Sequence, residues 1–313
     1  MSIIRKLKLC IIAGFILVSG VVRGQMEMPL YSFQQFSNVN FNPASIPVKD
    51  YVEGLLTARH QWAGFKGSPK SQMLNLQGYV REIKSSFATT VQSDFFGPTY
   101  QLHFKGIYAY NFNIGTRSFI TFGIGAGLIY RYFDGSQIIT EEENDPNVMK
   151  DIVHSVKPDF DFGAVLTAKG FTLGLSATHL TSFLYKKDRE FFVPGWGLHA
   201  FMQYDIVMDE KHHIIPYLHA YYEDDFFQAE AQLRIDLFDI FWLGGGYRWM
   251  DGLVFNAGFR ISKMVGIGYA YDFNLGVNKQ SLKSKGTHEI MLHLKINSYK
   301  NMGESSETPR YFE

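Results

Sequence analysis

The most regular feature of the chain is alternation of apolar with polar or small residues, repeated segment after segment. Over 118–131, Ile120, Phe122, Ile124, Ala126, Leu128 and Tyr130 fall on one face, and Thr121, Gly123, Gly125, Gly127 and Arg131 on the other. Over 226–237, Phe227, Ala229, Ala231, Leu233, Ile235 and Leu237 oppose Gln228, Glu230, Gln232, Arg234 and Asp236. Over 253–261, Leu253, Phe255, Ala257, Phe259 and Ile261 alternate with Val254, Asn256, Gly258 and Arg260. A period of two marks a strand. The segments are long beside the five or six residues usual in a sandwich. Charges crowded on one face of a strand suit an enclosed wet interior rather than the packed space between two sheets.

This pattern predicts fourteen strands, at about 51–62, 71–80, 86–93, 98–113, 118–131, 158–169, 171–180, 195–207, 213–222, 226–237, 240–249, 253–262, 264–274 and 287–298. The third is the weakest. The connections argue for keeping it. Counted from the first strand, every second one is short: Asn113–Arg117, Lys169-Gly170, Val207–His212, Phe238-Asp239 and Ser262-Lys263. The long connections, 132–157, 181–194 and 275–286, then all fall at the opposite end. Past the N-terminus no run of about 18 apolar residues offers a spanning helix. A closed barrel is the other way to cross a bilayer with every backbone group paired. The expected fold is all-β, a transmembrane antiparallel up-and-down barrel of about fourteen strands in the cell outer membrane, with both chain ends in the periplasm.

The flanks complete the organisation. Arg5, Lys6 and Lys8 precede an apolar Leu9–Val18, and Val22-Arg23-Gly24 suits cleavage, so 1–24 reads as a signal peptide with Gln25 as the first mature residue. Cys10, the one cysteine, lies inside that signal, which leaves the exported chain no thiol nucleophile and no Cys metal ligand. Residues 25–50 are polar, aromatic and Asn/Pro-containing. They read as a periplasmic N-terminal segment that either plugs the lumen or docks on a partner. The barrel is expected over 51–298, and 299–313 reads as a polar periplasmic tail.

Composition sharpens this picture. Lys+Arg and Asp+Glu both number 30, which argues against nucleic acid as a partner, since phosphate binding needs a basic face. Aromatics at 16% and 29 glycines suit interface girdles and a crowded wall.

The chain offers no catalytic set. It has no G-x-S-x-G motif, and Ser176 and His179 read as opposite faces of one strand. Gly123-Ile124-Gly125-Ala126-Gly127 and Gly244-Gly245-Gly246 lack the spacing of a phosphate loop and read as lumen glycines that make room for bulk. His212-His213 has no third ligand at useful spacing, and His288-Glu289 opens a strand, not a zinc-protease helix. Glu141-Glu142-Glu143-Asn144-Asp145 and Glu223-Asp224-Asp225 do not follow a calcium-loop pattern. No catalytic, cofactor or metal residue is predicted. Asp272 is expected to face the lumen, with Tyr269 and Tyr271 facing lipid. Arg248 or Arg260 would be its partner in a structural ion network.

Several blocks carry a resemblance. Asn42-Pro43-Ala44 follows the signal. Arg59-His60-Gln61-Trp62-Ala63-Gly64-Phe65-Lys66-Gly67-Ser68-Pro69 is an Arg-x-Gln-Trp-x-Gly-Phe-x-Gly-x-Pro block. Asp161-Phe162-Gly163, Gly174-Leu175-Ser176-Ala177-Thr178-His179-Leu180, Gly268-Tyr269-Ala270-Tyr271-Asp272 and Gly286-Thr287-His288-Glu289-Ile290 follow. Together these resemble the PorP/SprF family of type IX secretion outer-membrane proteins across nearly all of the mature chain. Ser45-Ile46-Pro47 departs from the small residue and glycine usual after Asn-Pro-Ala.

The resemblance implies a non-enzymatic barrel of the Bacteroidota export and gliding-motility apparatus. It implies a scaffold linking periplasmic machinery to export or surface attachment of C-terminal-domain-tagged cargo. The implied partners are the periplasmic ring and peptidoglycan-associated proteins, the outer-membrane translocon, secreted cargo and outer-membrane lipid. Asn42, Pro43, Arg59, Gln61, Trp62, Gly64, Phe65, Gly67, Pro69, Tyr271, Asp272, His288 and Glu289 are its motif residues and candidate partner contacts. The residues alone leave a second reading open, a passive or substrate-selective pore.

Overall fold

A computed structural model describes residues 29–297 apart from 65, 117, 139–149, 186–191, 224–225 and 276–283. The expected signal peptide with Cys10, the polar tail, Phe65 and most of the acidic runs lie outside the described residues. Strand segments run in chain order as β1 Tyr51–His60, β2 Lys70–Val80, β3 Ser85–Phe96, β4 Thr99–Gly115, β5 Ser118–Asp134, β6 Ile152–Ala168, β7 Phe171–Thr178 and β8 Gly197–Tyr204. They continue as β9 Ile206–Asp209, β10 His212–Glu223, β11 Phe226–Leu237, β12 Phe241–Arg248, β13 Gly252–Arg260, β14 Val265–Asn274 and β15 Thr287–Asn297.

Each segment pairs antiparallel with its neighbour, and the first pairs with the last, Tyr51↔Asn297 through His60↔His288. The wall therefore closes. Segments β8 and β9 both pair with β10 and are two parts of one stave, so the barrel has fourteen staves. The break falls at Tyr204-Asp205, between Gln203↔Tyr217 and Ile206↔Ile214. Across from it lies Pro216, which has no N–H to give a ladder, while the Asp205 N–H turns to Gly170 O at 2.9 Å.

The faces follow the expected alternation. Phe122, Ile124, Leu128, Phe227, Leu233, Phe255 and Phe259 are exposed on the outer wall, and Thr121, Gln228, Glu230, Gln232, Asp236 and Asn256 are buried inside. The sequence signal of β3 is weak because its outward face includes Thr89 and Ser93. The segment nonetheless pairs over its full length with β2 and β4. The Thr89 hydroxyl donates to Lys105 O at 3.1 Å, which hides its polarity from lipid.

Two expected boundaries move. β5 continues to Asp134, and β6 begins at Ile152 rather than near Pro158. Proline is tolerated inside β6 because β7 pairs with that stave only from Phe162 onward. The Pro158 carbonyl accepts from Thr181 Oγ1 on the side β7 leaves open, where a missing N–H breaks no ladder bond. Beyond β7, the single 3-10 turn Leu180–Leu184 begins the connection to β8.

Ile124 sits mid-stave on the lipid face, opposite Tyr108 and Phe162. Ile124→Arg is expected to cost about 2–4 kcal/mol of folding stability, the depth-dependent cost of a cation facing acyl chains. Denaturant titration of the barrel refolded into lipid vesicles measures it.

Candidate functional site

Most residues from 30 to 46 are buried, and they are buried inside the barrel. The segment starts beside β1, where Asp50 pairs with Arg81 at the end carrying the short turns. It runs back through the lumen in two single 3-10 turns, Gln34–Phe36 and Asn38–Asn40. It reaches Ser32, which contacts the far end of the wall. A wall of this circumference cannot fill its interior with its own side chains, and the segment supplies the missing core. Phe33 packs with Leu55, Trp242, Ala270 and Met291. Phe41 and Ala44 pack with Val165, Phe201 and Tyr217. Val39 and Ile46 pack with Ile107 and Ala109.

Asn42-Pro43-Ala44 gains a physical role here. Asn42 Oδ1 accepts the Ala44 N–H at 2.9 Å, and its amide donates to Leu175 O at 3.1 Å. The turn seats in a notch made by Gly123 and Gly163, which face each other across β5 and β6. A Cβ on Gly123 would overlap the Pro43 carbonyl, and one on Gly163 would overlap the Asn42 side chain and the Pro43 ring. Ser176 Oγ donates to Phe41 O at 2.6 Å, and Tyr217 to Asn38 Oδ1 at 2.9 Å.

The far end of the segment is held by charge. Arg59 and Glu289 are directly opposite each other where β1 meets β15. The Arg59 guanidinium reaches Glu289 at 2.9 Å and Asp272 at 2.7 Å. Arg248 reaches Glu230 at 2.7 Å, Asp272 at 3.1 Å and Asp251 at 3.0 Å. Two buried guanidinium groups thus face three buried carboxylates and one partly exposed one. The N-terminal segment makes up the shortfall. The backbone N–H groups of Ser32 and Phe33 donate to the two Glu289 oxygens at 2.8 and 3.1 Å. Ser32 Oγ donates to Asp272 Oδ1 at 2.5 Å and accepts from Arg59 at 2.9 Å. Such charge-assisted bonds are the strong class in a dry interior.

The remaining motif residues form a separate group at the rim. Gln61 N donates to Pro69 O at 2.8 Å and closes the loop between β1 and β2. Trp62 N donates to Thr287 Oγ1 at 3.1 Å, and Ala63 exchanges backbone bonds with Gly286 and Lys285 at 2.8 and 2.7 Å. Gly64 and Gly67 hold φ of 111° and 80°, which glycine adopts without strain. Tyr271 Oη donates to Lys285 O at 3.1 Å and packs on His288, so the two loops lock together. Tyr271 and His288 face outward while Asp272 and Glu289 face inward, so each adjacent pair is split across the wall.

Of the two partners expected for Asp272, Arg248 or Arg260, Arg248 makes the contact. Arg260 instead lies 3.3 Å from Asp236. Arg59 and Glu289 were named as motif residues, but their pairing was not foreseen, since it crosses the seam between the first and last staves. Ser32, which carries no motif, was missed. Ser176 and His179 do not face opposite sides. The stave ends at Thr178, and His179 turns left-handed, φ 55° and ψ 40°, which swings it inward. A third grouping joins His103, Asp159 and His179, whose ligand atoms lie within 4.8 Å of one another. His212 and His213 pair instead with Asp209 and Asp205, each at 2.8 Å.

Comparison with known proteins decides the family. Residues 24–294 match the family described as Type IX secretion system membrane protein PorP/SprF. The chain belongs to the PorP/SprF family. No curated protein matches it. Among solved structures it is similar to the Acinetobacter baumannii outer membrane protein Omp33, at 9% identity and TM-score 0.44 over 80% of this chain and 99% of that one. It is also similar to a Pseudomonas aeruginosa FadL homologue, at 10% identity and TM-score 0.47 over 82% and 92%. A KdgM porin matches at 6% identity and TM-score 0.40 over 77% and 98%. A closed barrel of this family is an outer-membrane protein, and its partners are other components of the secretion system.

Removing Arg59 would leave Glu289 and part of Asp272 uncompensated in the lumen of this PorP/SprF barrel. Arg59→Ala is expected to cost about 3–5 kcal/mol, as for one partner of a buried pair. Arg59→Lys should cost less, because it keeps the charge and loses only the fork. Both are read from denaturant unfolding in detergent or vesicles.

Proposed function

We propose that this PorP/SprF protein acts as a non-conducting scaffold of the type IX secretion apparatus. It joins periplasmic machinery to export or surface attachment of C-terminal-domain-tagged cargo. The observation that carries this reading is the lumen packed with residues 30–46 and tied down at Glu289. A barrel filled along its height by its own backbone supplies a rigid platform, and partner recognition falls to its two rims. In the proposed orientation the short turns and the end of β15 face the periplasm, the N-terminal segment crosses the lumen from Asp50 to Ser32 near the opposite end, and the long connections face the surface or the cargo. The role is non-enzymatic.

The second reading is a pore. The charged lumen favours it, since Arg131, Lys157, Arg234 and Asp236 line the interior. Planar-bilayer recording separates the two. The intact protein is expected to give no steady conductance, while deletion of 30–46 is expected to give an open channel. A steady channel from the intact protein would favour the pore. The partner assignment is tested by crosslinking and pull-down from outer membranes, where recovery of no secretion component would refute the scaffold.

A further inference from the structure

Staves β4, β5 and β6 are paired in register, so the side chains that share the lumen face at one height can be read from the ladder. Lys105 lies opposite Gly127, and Gly127 lies opposite Asp159. Gly125 lies opposite Asp161. Neither glycine has a side chain, so groups on β4 reach across β5 to groups on β6. A Cβ on Gly125 would sit 3.0 Å from the Lys105 chain and 3.5 Å from the Asp161 Cβ. The cleared floor holds a compact polar cluster. His103 Nε2 lies 2.7 Å from Asp159 Oδ2, and His179 Nδ1 lies 2.8 Å from Asp159 Oδ1. Lys105 pairs with Asp161 and lies 3.5 Å from Asp159. All five side chains are at most 4% exposed.

His179 is placed deliberately. Its left-handed backbone, at the corner after β7, turns the ring into the cluster, and its N–H donates to Asp161 Oδ1 at 2.9 Å. Two imidazole nitrogens and one carboxylate converge from β4, β6 and that corner. Their donor atoms lie within 4.8 Å of one another, a separation that small rotamer changes close around one ion. Imidazole and carboxylate are the donor set that suits zinc and its neighbours, with three protein ligands and an open position.

We propose that His103, Asp159 and His179 form a binding site for a divalent transition-metal ion of zinc's chemistry. Lys105 and Asp161 form the surrounding shell, with Asp161 fixing the His179 backbone and Lys105 balancing Asp161. The ion would pin the His179 corner after β7 to β4 and β6 just inside the end that carries the long connections.

The test uses the full-length barrel purified in detergent, stripped with a chelator and titrated with Zn²⁺ or Co²⁺, with Mg²⁺ as a control. One equivalent of Zn²⁺ should be retained, and Co²⁺ should give the visible absorption of a low-symmetry nitrogen–oxygen site. The melting midpoint should rise with Zn²⁺ and not with Mg²⁺. His103→Gln, which keeps a hydrogen-bonding group toward Asp159, should weaken Zn²⁺ at least about tenfold. His219→Gln, a buried lumen histidine outside the cluster, should leave it unchanged. His179→Gln is expected to behave like His103→Gln. Should it fail to fold, His103→Gln carries the test alone. Sub-stoichiometric zinc, equal retention by His103→Gln and wild type, or melting that ignores Zn²⁺ would overturn the proposal.

Discussion

The carboxylate of Glu289 and the two backbone N–H groups it accepts join the main features of this barrel. Glu289 sits on the last stave and Arg59 on the first, so their ion pair spans the seam where the sheet becomes a cylinder. The same carboxylate holds Ser32 and Phe33, the deepest-reaching part of the N-terminal segment. Closure and plugging therefore draw on the same carboxylate. A sealed seam without the segment would leave Glu289 with Arg59 and lumenal water in place of the two backbone donors. A seated segment without the seam loses the arginine that organises its binding site. Ser32 and Glu289 are 257 residues apart in the chain, so this link is highly non-local and carries a large loop-closure cost.

From that constraint the composition of the wall follows. Lumen positions that face the segment are small or polar according to what crosses them. Gly123 and Gly163 admit a proline turn, Gly268 admits the Phe33 ring, and Asn75 meets Ser37. The glycine-rich face of β5 serves two neighbours at once. Gly123 yields to Pro43, while Gly125 and Gly127 let β4 side chains reach β6. Substitution at these positions acts on the contents of the barrel, since the outer surface at the same height is built from the alternate residues.

The fold was readable because a barrel wall writes its geometry locally. Greasy residues that meet acyl chains must alternate with residues that meet the lumen, and Ile124 or Phe227 declares its side from its neighbours alone. The parity of short connections even recovered β3, whose outward Thr89 and Ser93 hide its pattern. What escaped was non-local. Pro158 looked like a strand start because the sequence does not tell where β7 stops pairing. Asp272 was placed inside by the outward tyrosines beside it, with Arg248 or Arg260 as its partner, yet the choice between them and the Arg59–Glu289 pair required the register of the wall and its closing seam. The 25–50 segment left two readings open because a plug has no period. Its shape is copied from the wall it fills. His179 was put on the wrong face because a single left-handed residue cancels the alternation from which faces are inferred.

A plug that is part of the chain also limits where recognition can occur. An extended partner entering this lumen would have to break the hydrogen bonds from Ser32 and Phe33 to Glu289 and empty the Gly123–Gly163 notch together, because one continuous backbone fills both. The rims carry no such obligation. At one rim the Gln61–Pro69 loop is locked to the strand-opening segment 285–288 by backbone bonds at Ala63 and by Tyr271. It presents a fixed outline from residues that the packing of the lumen does not otherwise need. The motif thus divides by physical demand. Asn42, Pro43, Arg59, Asp272 and Glu289 answer to the interior, while Gln61, Trp62, Gly64, Gly67, Pro69, Tyr271 and His288 answer to the shape of the mouth.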